Sequence, residues 1–114
     1  MLFKKELIDK ILKGKKTMTS RRKKLCEEGD VTNLMANKDF SKITGKYLKI
    51  TRVYQKILGK FSDEDSKREG FENLYELKRY WEKNIGFWTP STVVWVHEFE
   101  ILNIPKPKKA SELD

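Results

Sequence analysis

The sequence predicts a small α+β domain whose strands curl into a barrel with flanking helices. Three observations lead there. Helical spacing of apolar residues marks 3–12 and two segments within 62–85, whereas β-rich runs mark 17–22, 31–35, 47–58 and 92–102. These elements follow one another as helix, strands, two helices, strand, which is not the regular βαβ alternation of a doubly wound sheet. The 114 residues, 38% hydrophobic and 37% charged, with three Trp, six Phe and four Tyr, supply one domain with one modest core. No internal repeat is visible.

Each element has a local reason. Leu7, Ile8, Ile11 and Leu12 form one face of a helix over 3–12, with Lys4, Lys5, Glu6, Lys10 and Lys13 on the wet side. Gly14 ends it by taking a left-handed conformation that a Cβ disfavours. The polar, threonine-containing run 17–22 fits a strand. In an ideal strand Thr17, Thr19 and Arg21 share one face and Lys16 points to the other. A site using both Lys16 and Thr19 therefore needs Lys16 in the turn, or a bulge. Glu28-Gly29-Asp30 is a turn leading into a strand over 31–35, and 36–46 reads as a polar loop. Along 47–58, Leu48 and Ile50 alternate in one phase and Val53 and Ile57 in the other, which predicts a bulge at Thr51-Arg52. Ser62 caps a short helix with Asp65 three residues on, and Gly70 stops it. Asn73 caps the next helix, with Glu76 in the reciprocal position, a buried stripe of Leu74, Leu77 and Trp81, and Gly86 at its end. Val93, Trp95, His97, Phe99 and Ile101 line one face of the last strand; the other is apolar at Val94 and Val96 and polar from Glu98. The domain is expected to span 1–103, with 104–114 as a flexible tail.

Composition narrows the function classes. The net charge of +8 is uneven: residues 1–60 carry 17 Lys or Arg against 6 Asp or Glu, and residues 61–114 carry 8 against 11. A basic half beside an acidic half suits a polyanion on one face, and equally a solvated lysine surface. A single cysteine, Cys26, excludes an intrachain disulfide and a multi-cysteine zinc site. A single histidine, His97, argues against a histidine-based metal centre or a Ser-His-Asp triad. No cofactor or metal is expected. No apolar run approaches the roughly 20 residues of a membrane helix, and Met1-Leu2-Phe3-Lys4-Lys5 does not open an apolar signal core. The expected location is the cytoplasm.

The densest chemistry lies in Gly14-Lys15-Lys16-Thr17-Met18-Thr19-Ser20-Arg21. It offers an amine in Lys16, a nucleophile in Thr19 and an anion ligand in Arg21. A threonine hydroxyl attacks only when a base removes its proton, and a lysine serves only if burial or nearby positive charge lowers its pKa. Lys15, Arg21 and Arg22 supply such charge. The same run also fits an inert basic helix end followed by a solvated edge strand. Among carboxylates, Asp63, Glu64 and Asp65 are explained as first-turn helix charges. Glu69 sits at a helix C-terminus, where the macrodipole disfavours an anion, and is either a functional acid or an ordinary exposed glutamate. Trp88, in a Gly-Phe-Trp-Thr-Pro loop, is a candidate for stacking on a base. His97 reads as a core or rim histidine.

Together these residues resemble the ASCH domains, small relatives of the PUA RNA-binding fold, over residues 2–102. The family's mark is Gly-x-Lys-x-x-Glu-x-Arg after the first helix. Gly14, Lys16 and Arg21 stand in place, with Thr19 where many members have Glu. The Glu28-Gly29-Asp30 turn and the aromatic, acid-terminated last strand also fit. With its threonine, Gly-x-Lys-Thr-x-Thr-x-Arg resembles the ASCH amidohydrolases that deacetylate N(4)-acetylcytidine with a lysine, a threonine and a glutamate. That resemblance implies catalytic roles for Lys16, Thr19 and Glu69, with Lys15, Arg21, Arg22 and Trp88 binding a modified nucleoside or RNA. It leaves two alternatives: a non-catalytic RNA-binding module and an ASCH-type ribonuclease.

Overall fold

The computed structural model describes residues 1–36 and 43–102. In chain order the elements are β1 (Leu2–Phe3), α1 (Lys5–Leu12), β2 (Met18–Arg21), β3 (Val31–Ala36), β4 (Ile43–Ile57), a 3₁₀ turn (Leu58–Lys60), α2 (Asp63–Arg68), α3 (Leu74–Asn84) and β5 (Val93–Leu102). The five strands form one mixed sheet in the order β1-β3-β4-β5-β2. β1 is parallel to β3, and all other pairs are antiparallel. The sheet bends into a half-barrel. Its edge strands come within side-chain reach, since Arg21 of β2 donates from Nη2 to the Leu2 carbonyl of β1 at 2.7 Å.

Curvature comes from the long β4–β5 pair. Its register runs from Tyr47 opposite Leu102 to Ile57 opposite Val93 and slips once, between Ile50 and Arg52. That slip is the bulge predicted from the phase change of the apolar residues, and bulges bend and twist a strand locally. Both faces of β5 are covered. Phe99 packs with Phe3, Leu7, Ile8, Ile11, Leu34, Leu48 and Ile50. Val94 and Val96 pack with Met18, Leu58, Phe61, Leu77 and Trp81 beneath the 3₁₀ turn and α3. The domain therefore holds two apolar clusters separated by its sheet, where the sequence suggested one core.

Several expectations need correction. Leu2–Phe3 is a strand, not the start of the first helix, because Lys4 is extended (φ −65°, ψ 149°) and the strand pairs with Met35 and Ala36. β2 is not a solvated edge: Met18, Thr19 and Ser20 are all buried. Strand β4 begins at Ile43, so the predicted loop loses its last residues; positions 37–42 lie outside the described residues, as does the predicted tail at 104–114. Glu98 is buried despite its charge, since Arg68 donates to it at 2.7 Å and Arg52 at 3.4 Å.

The helix ends follow the sequence. Ser62 and Asp65 form a reciprocal capping box at α2. Asn73 accepts from the Glu76 N–H at α3, while the Glu76 side chain reaches one residue further back, to the N–H of Glu72. Gly70 leaves α2 at φ +101°, and a Cβ there would meet Lys10 Cδ and Lys16 Cβ at 3.2 Å each. Both the backbone and the space require glycine. Gly70→Ala is expected to lower stability by about 1–3 kcal/mol, measured by denaturant unfolding.

Candidate functional site

The segment after α1 is pinned between two helix ends. Gly14 turns the chain at φ +76°, and the N–H groups of Lys15 and Lys16 both donate back to Lys10 O, at 2.9 and 3.2 Å. The Thr17 N–H then donates to Arg68 O at 2.8 Å, and Phe99 N–H to Thr17 O at 3.0 Å. Lys16 is thus still in the turn when β2 begins at Met18, which resolves the phase problem between Lys16 and Thr19 without a bulge in β2.

Lys16 is 3% exposed and Glu69 4% exposed. The Lys16 amine donates to the carbonyls of Met18 and Glu69, each at 2.9 Å. The Glu69 carboxylate accepts from Ser20 Oγ at 2.9 Å. Thr19 Oγ1 accepts from Arg21 Nε at 3.2 Å, and the guanidinium lies over the Phe3 ring at 4.9 Å. Lys16, Thr19, Ser20, Arg21 and Glu69 all line one cavity of about 180 Å³, walled further by Phe3, Tyr80 and Trp81. A cavity of roughly 150 Å³ accommodates a benzene ring, so this one has room for a single heterocycle.

Burial sets the proton affinities. It pulls the Lys16 amine from 10.5 down to about 8, with Arg21 and Lys10 adding to the drop and Glu69 opposing it. It pushes the Glu69 carboxyl above its ordinary value, against the pull of Lys16, the Ser20 hydrogen bond and Arg21. Arg21 is lowered for the same first reason, loss of water. A neutral lysine amine has two N–H groups and one lone pair. With both N–H groups given to carbonyls, the lone pair is left to accept a proton, which is the arrangement of a general base.

Not every nominated residue joins this cavity. Lys15 is exposed and faces a separate groove beside Lys13 and Glu72. Arg22 is exposed, and its Nη2 reaches Ile85 O only at 3.4 Å. Trp88 is half-buried, packed edge-on against Phe61 and Trp81 at centroid distances of 6.2 and 5.8 Å. The ring fills the second cluster, and it is the neighbouring Phe87 that is 87% exposed. His97 is fully buried, and its Nε2 accepts from the Leu25 N–H at 3.1 Å. Ser20 and Tyr80 were not singled out from sequence. The adjacency of Ser20 to Thr19 was the available signal, but adjacent strand residues normally face opposite ways. Among the described residues no three His, Cys, Asp or Glu side chains gather as a metal site, and no helix is long and apolar enough to cross a membrane.

Three solved structures share this architecture. One is a DUF984-family protein from Enterococcus faecalis V583, with TM-score 0.66 and 18% identity over 85% of this chain and 67% of that one. Another is an ASCH domain from Lactobacillus crispatus JV V101, with TM-score 0.60 and 16% identity over 84% and 70%. A third is a point variant of the ASCH protein of Zymomonas mobilis, with TM-score 0.64 and 16% identity over 99% and 76%. The chain has the ASCH-domain fold. No protein-family model and no curated protein matches the sequence. Within this ASCH fold the cavity opens beside the edge strand β2, between β1 and the face of α3.

The shifted amine has a measurable consequence for stability. Below pH 8 the folded protein holds a proton on Lys16 less tightly than the unfolded chain does, which costs about 3 kcal/mol. Between pH 8 and 10.5 the folded form has released that proton while the unfolded chain still binds it, so this group's contribution to stability rises with pH. Unfolding free energies measured across that range should climb less steeply in Lys16→Met than in the wild type.

Proposed function

We propose that the protein is an amidohydrolase that removes the acetyl group from N(4)-acetylcytidine or a related acylated pyrimidine nucleoside. The observation that carries this reading is the meeting of Lys16, Thr19 and Glu69 on the wall of one ring-sized cavity, with the lysine amine poised near 8. Neutral Lys16 takes the hydroxyl proton as Thr19 Oγ1 attacks the acetyl carbonyl. Arg21, held against Thr19 Oγ1, lends positive charge to the oxygen anion that develops. The tetrahedral intermediate collapses, the C–N bond breaks, and Lys16 returns the proton to the departing exocyclic amine. Cytidine leaves and Thr19 carries an acetyl ester. Ionised Glu69 then takes a proton from water as the water oxygen attacks that ester, passes it to the Thr19 oxygen as the C–O bond breaks, and acetic acid departs with Thr19 and Glu69 restored.

The buried ionisations fix the direction of the pH response. The lysine must be neutral to act as the base, so the rate should rise with pH and level off above about 8. Purified protein should release cytidine from N(4)-acetylcytidine, with Lys16→Ala and Thr19→Ala each losing at least about 100-fold. Glu69→Gln should accumulate acetyl-protein, visible by intact mass. Full activity in Thr19→Ala or Lys16→Ala would sink the proposal.

A second reading has one observation in its favour. Arg22, Lys23 and Lys24 continue from the cavity as an exposed basic run, with Phe87 bare nearby in sequence to Ile85, which Arg22 touches. An RNA strand bound there would release counterions, so its affinity would fall steeply with salt. Binding of labelled RNA that Arg22→Ala abolishes, without nucleoside turnover, would favour a non-catalytic module; cleavage of that RNA would favour a ribonuclease.

A further inference from the structure

Ser20 breaks the pattern of its own strand. Met18 and Ser20 lie on one face of β2, and Ser20 stands opposite Val96 of β5. Met18 and Val96 both belong to the second apolar cluster, so an apolar residue would suit the position. A serine occupies it instead, only 6% exposed, and a buried hydroxyl is costly unless it finds a partner. The partner is a carboxylate 49 positions away: Ser20 Oγ donates to Glu69 Oε1 at 2.9 Å. Among the described residues no other hydrogen bond reaches that carboxylate, since the Lys16 amine goes to the Glu69 carbonyl.

Deacetylation makes a demand on Glu69 that its surroundings resist. The side chain must be ionised to take a proton from water, yet burial favours its neutral form. Lys16, the largest influence acting the other way, is neutral once its proton has gone to the departing amine. Its help is therefore lost when the acetyl ester forms. Arg21 of β2 still favours the carboxylate, whereas Asp65 of α2 disfavours it. The Tyr80 phenol of α3, raised above its ordinary value by burial first, stays uncharged. The Ser20 hydroxyl keeps its proton throughout, and a donor to a carboxylate stabilises the charged form.

Resting on the amidohydrolase reading, we propose that Ser20 is a positioning residue for the water step: it holds Glu69 as a carboxylate through Oε1 and leaves Oε2 to take the proton from water. Ser20 gives up no proton and forms no bond with the substrate. Its effect is confined to the second half of the cycle, after cytidine has left.

Wild type, Ser20→Ala and Ser20→Thr, which keeps a hydroxyl donor, separate this role from a purely structural one. In a single turnover of N(4)-acetylcytidine, cytidine release should stay within about threefold in Ser20→Ala. The decay of acetyl-protein, followed by intact mass after rapid quenching, should slow about tenfold. In the steady state kcat and KM should fall together, because the acetyl form accumulates. That decay should quicken with rising pH as Glu69 ionises, and loss of the donor should move the rise upward by about one pH unit. Without substrate, the Glu69 carboxyl carbon of isotope-labelled protein should titrate higher by the same amount. Ser20→Thr should restore each property.

A wild-type rate of acetyl-protein decay in Ser20→Ala overturns the proposal. So does a Glu69 carboxyl whose titration is unmoved, an equal loss of both half-reactions, or a Ser20→Thr protein that melts like wild type and still behaves as Ser20→Ala. If Ser20→Ala does not fold, Ser20→Cys, with its weaker donor, carries the same comparison. In every one of these cases continued turnover leaves the hydrolase reading standing. A wild-type protein that never releases cytidine sinks that reading instead, and the carboxyl titration then decides alone whether Ser20 holds Glu69 ionised.

Discussion

The Lys16 amine is the point on which the rest of the site depends. Its two hydrogen bonds, to the carbonyls of Met18 and Glu69, join the start of β2 to the end of α2. The same side chain runs beneath Gly70, where a Cβ would collide with it. Moving this amine out of the interior would release three segments at once. Burial acts on Glu69 as well. Loss of water lowers one group and raises the other, so the lysine and the carboxyl are driven toward their neutral forms together. Their attraction opposes both shifts but does not reverse them. The Lys16 proton is therefore easier to remove than that of a solvated lysine, which is what a general base needs.

The second constraint is the position of β2 at the edge of the sheet. Adjacent residues of a strand point to opposite faces. In a central strand, Thr19 and Ser20 would be divided between the two apolar clusters. Here the strand has a free side, and the cavity lies along it, so both hydroxyls reach the same space. The opposite side of the seam is β1, only two residues long, and Arg21 bridges the gap through the Leu2 carbonyl. The guanidinium therefore has two tasks. It closes a half-barrel that backbone pairing alone leaves open, and it holds Thr19 Oγ1. An edge that would otherwise invite pairing with another chain is thereby partly covered.

Much of this was legible in the sequence where the deciding physics is local. Gly14, the Ser62–Asp65 box and the Asn73 cap each act over three or four residues, and all stand where the pattern placed them. The bulge in β4 was readable because it inverts an alternation that had already been established. What could not be read depends on distant partners. Leu2–Phe3 is too short to show a period and becomes a strand only against Met35 and Ala36. Glu69 could be read from its helix end either as a functional acid or as an exposed glutamate; its burial, and the donation from Lys16, 53 positions away in the chain, to its carbonyl appear only in the fold. Trp81 and Trp88 were both aromatic and both near glycine-bounded segments. Only packing reveals that the two rings meet edge-on in the second cluster and that Trp81, unlike Trp88, also lines the cavity.

The charge asymmetry of the chain acquires a more specific meaning once these positions are known. Most cations of the basic half stay in water: Lys13, Lys15, Arg22, Lys23 and Lys24 are exposed. Their field reaches the cavity only across about 10 Å of Debye screening at moderate ionic strength. Lys16 and Arg21 are different, because water has largely been withdrawn from both. The leading cause of the Lys16 shift is desolvation, with neighbouring cations secondary. Salt screens charge pairs but does not rehydrate a buried amine. The surface lysines therefore set how an anionic ligand approaches, and salt weakens that step, whereas the proton affinity of the base is set by packing and is largely insensitive to salt. A neutral nucleoside would register only the second of these properties, and a nucleotide or RNA would register both.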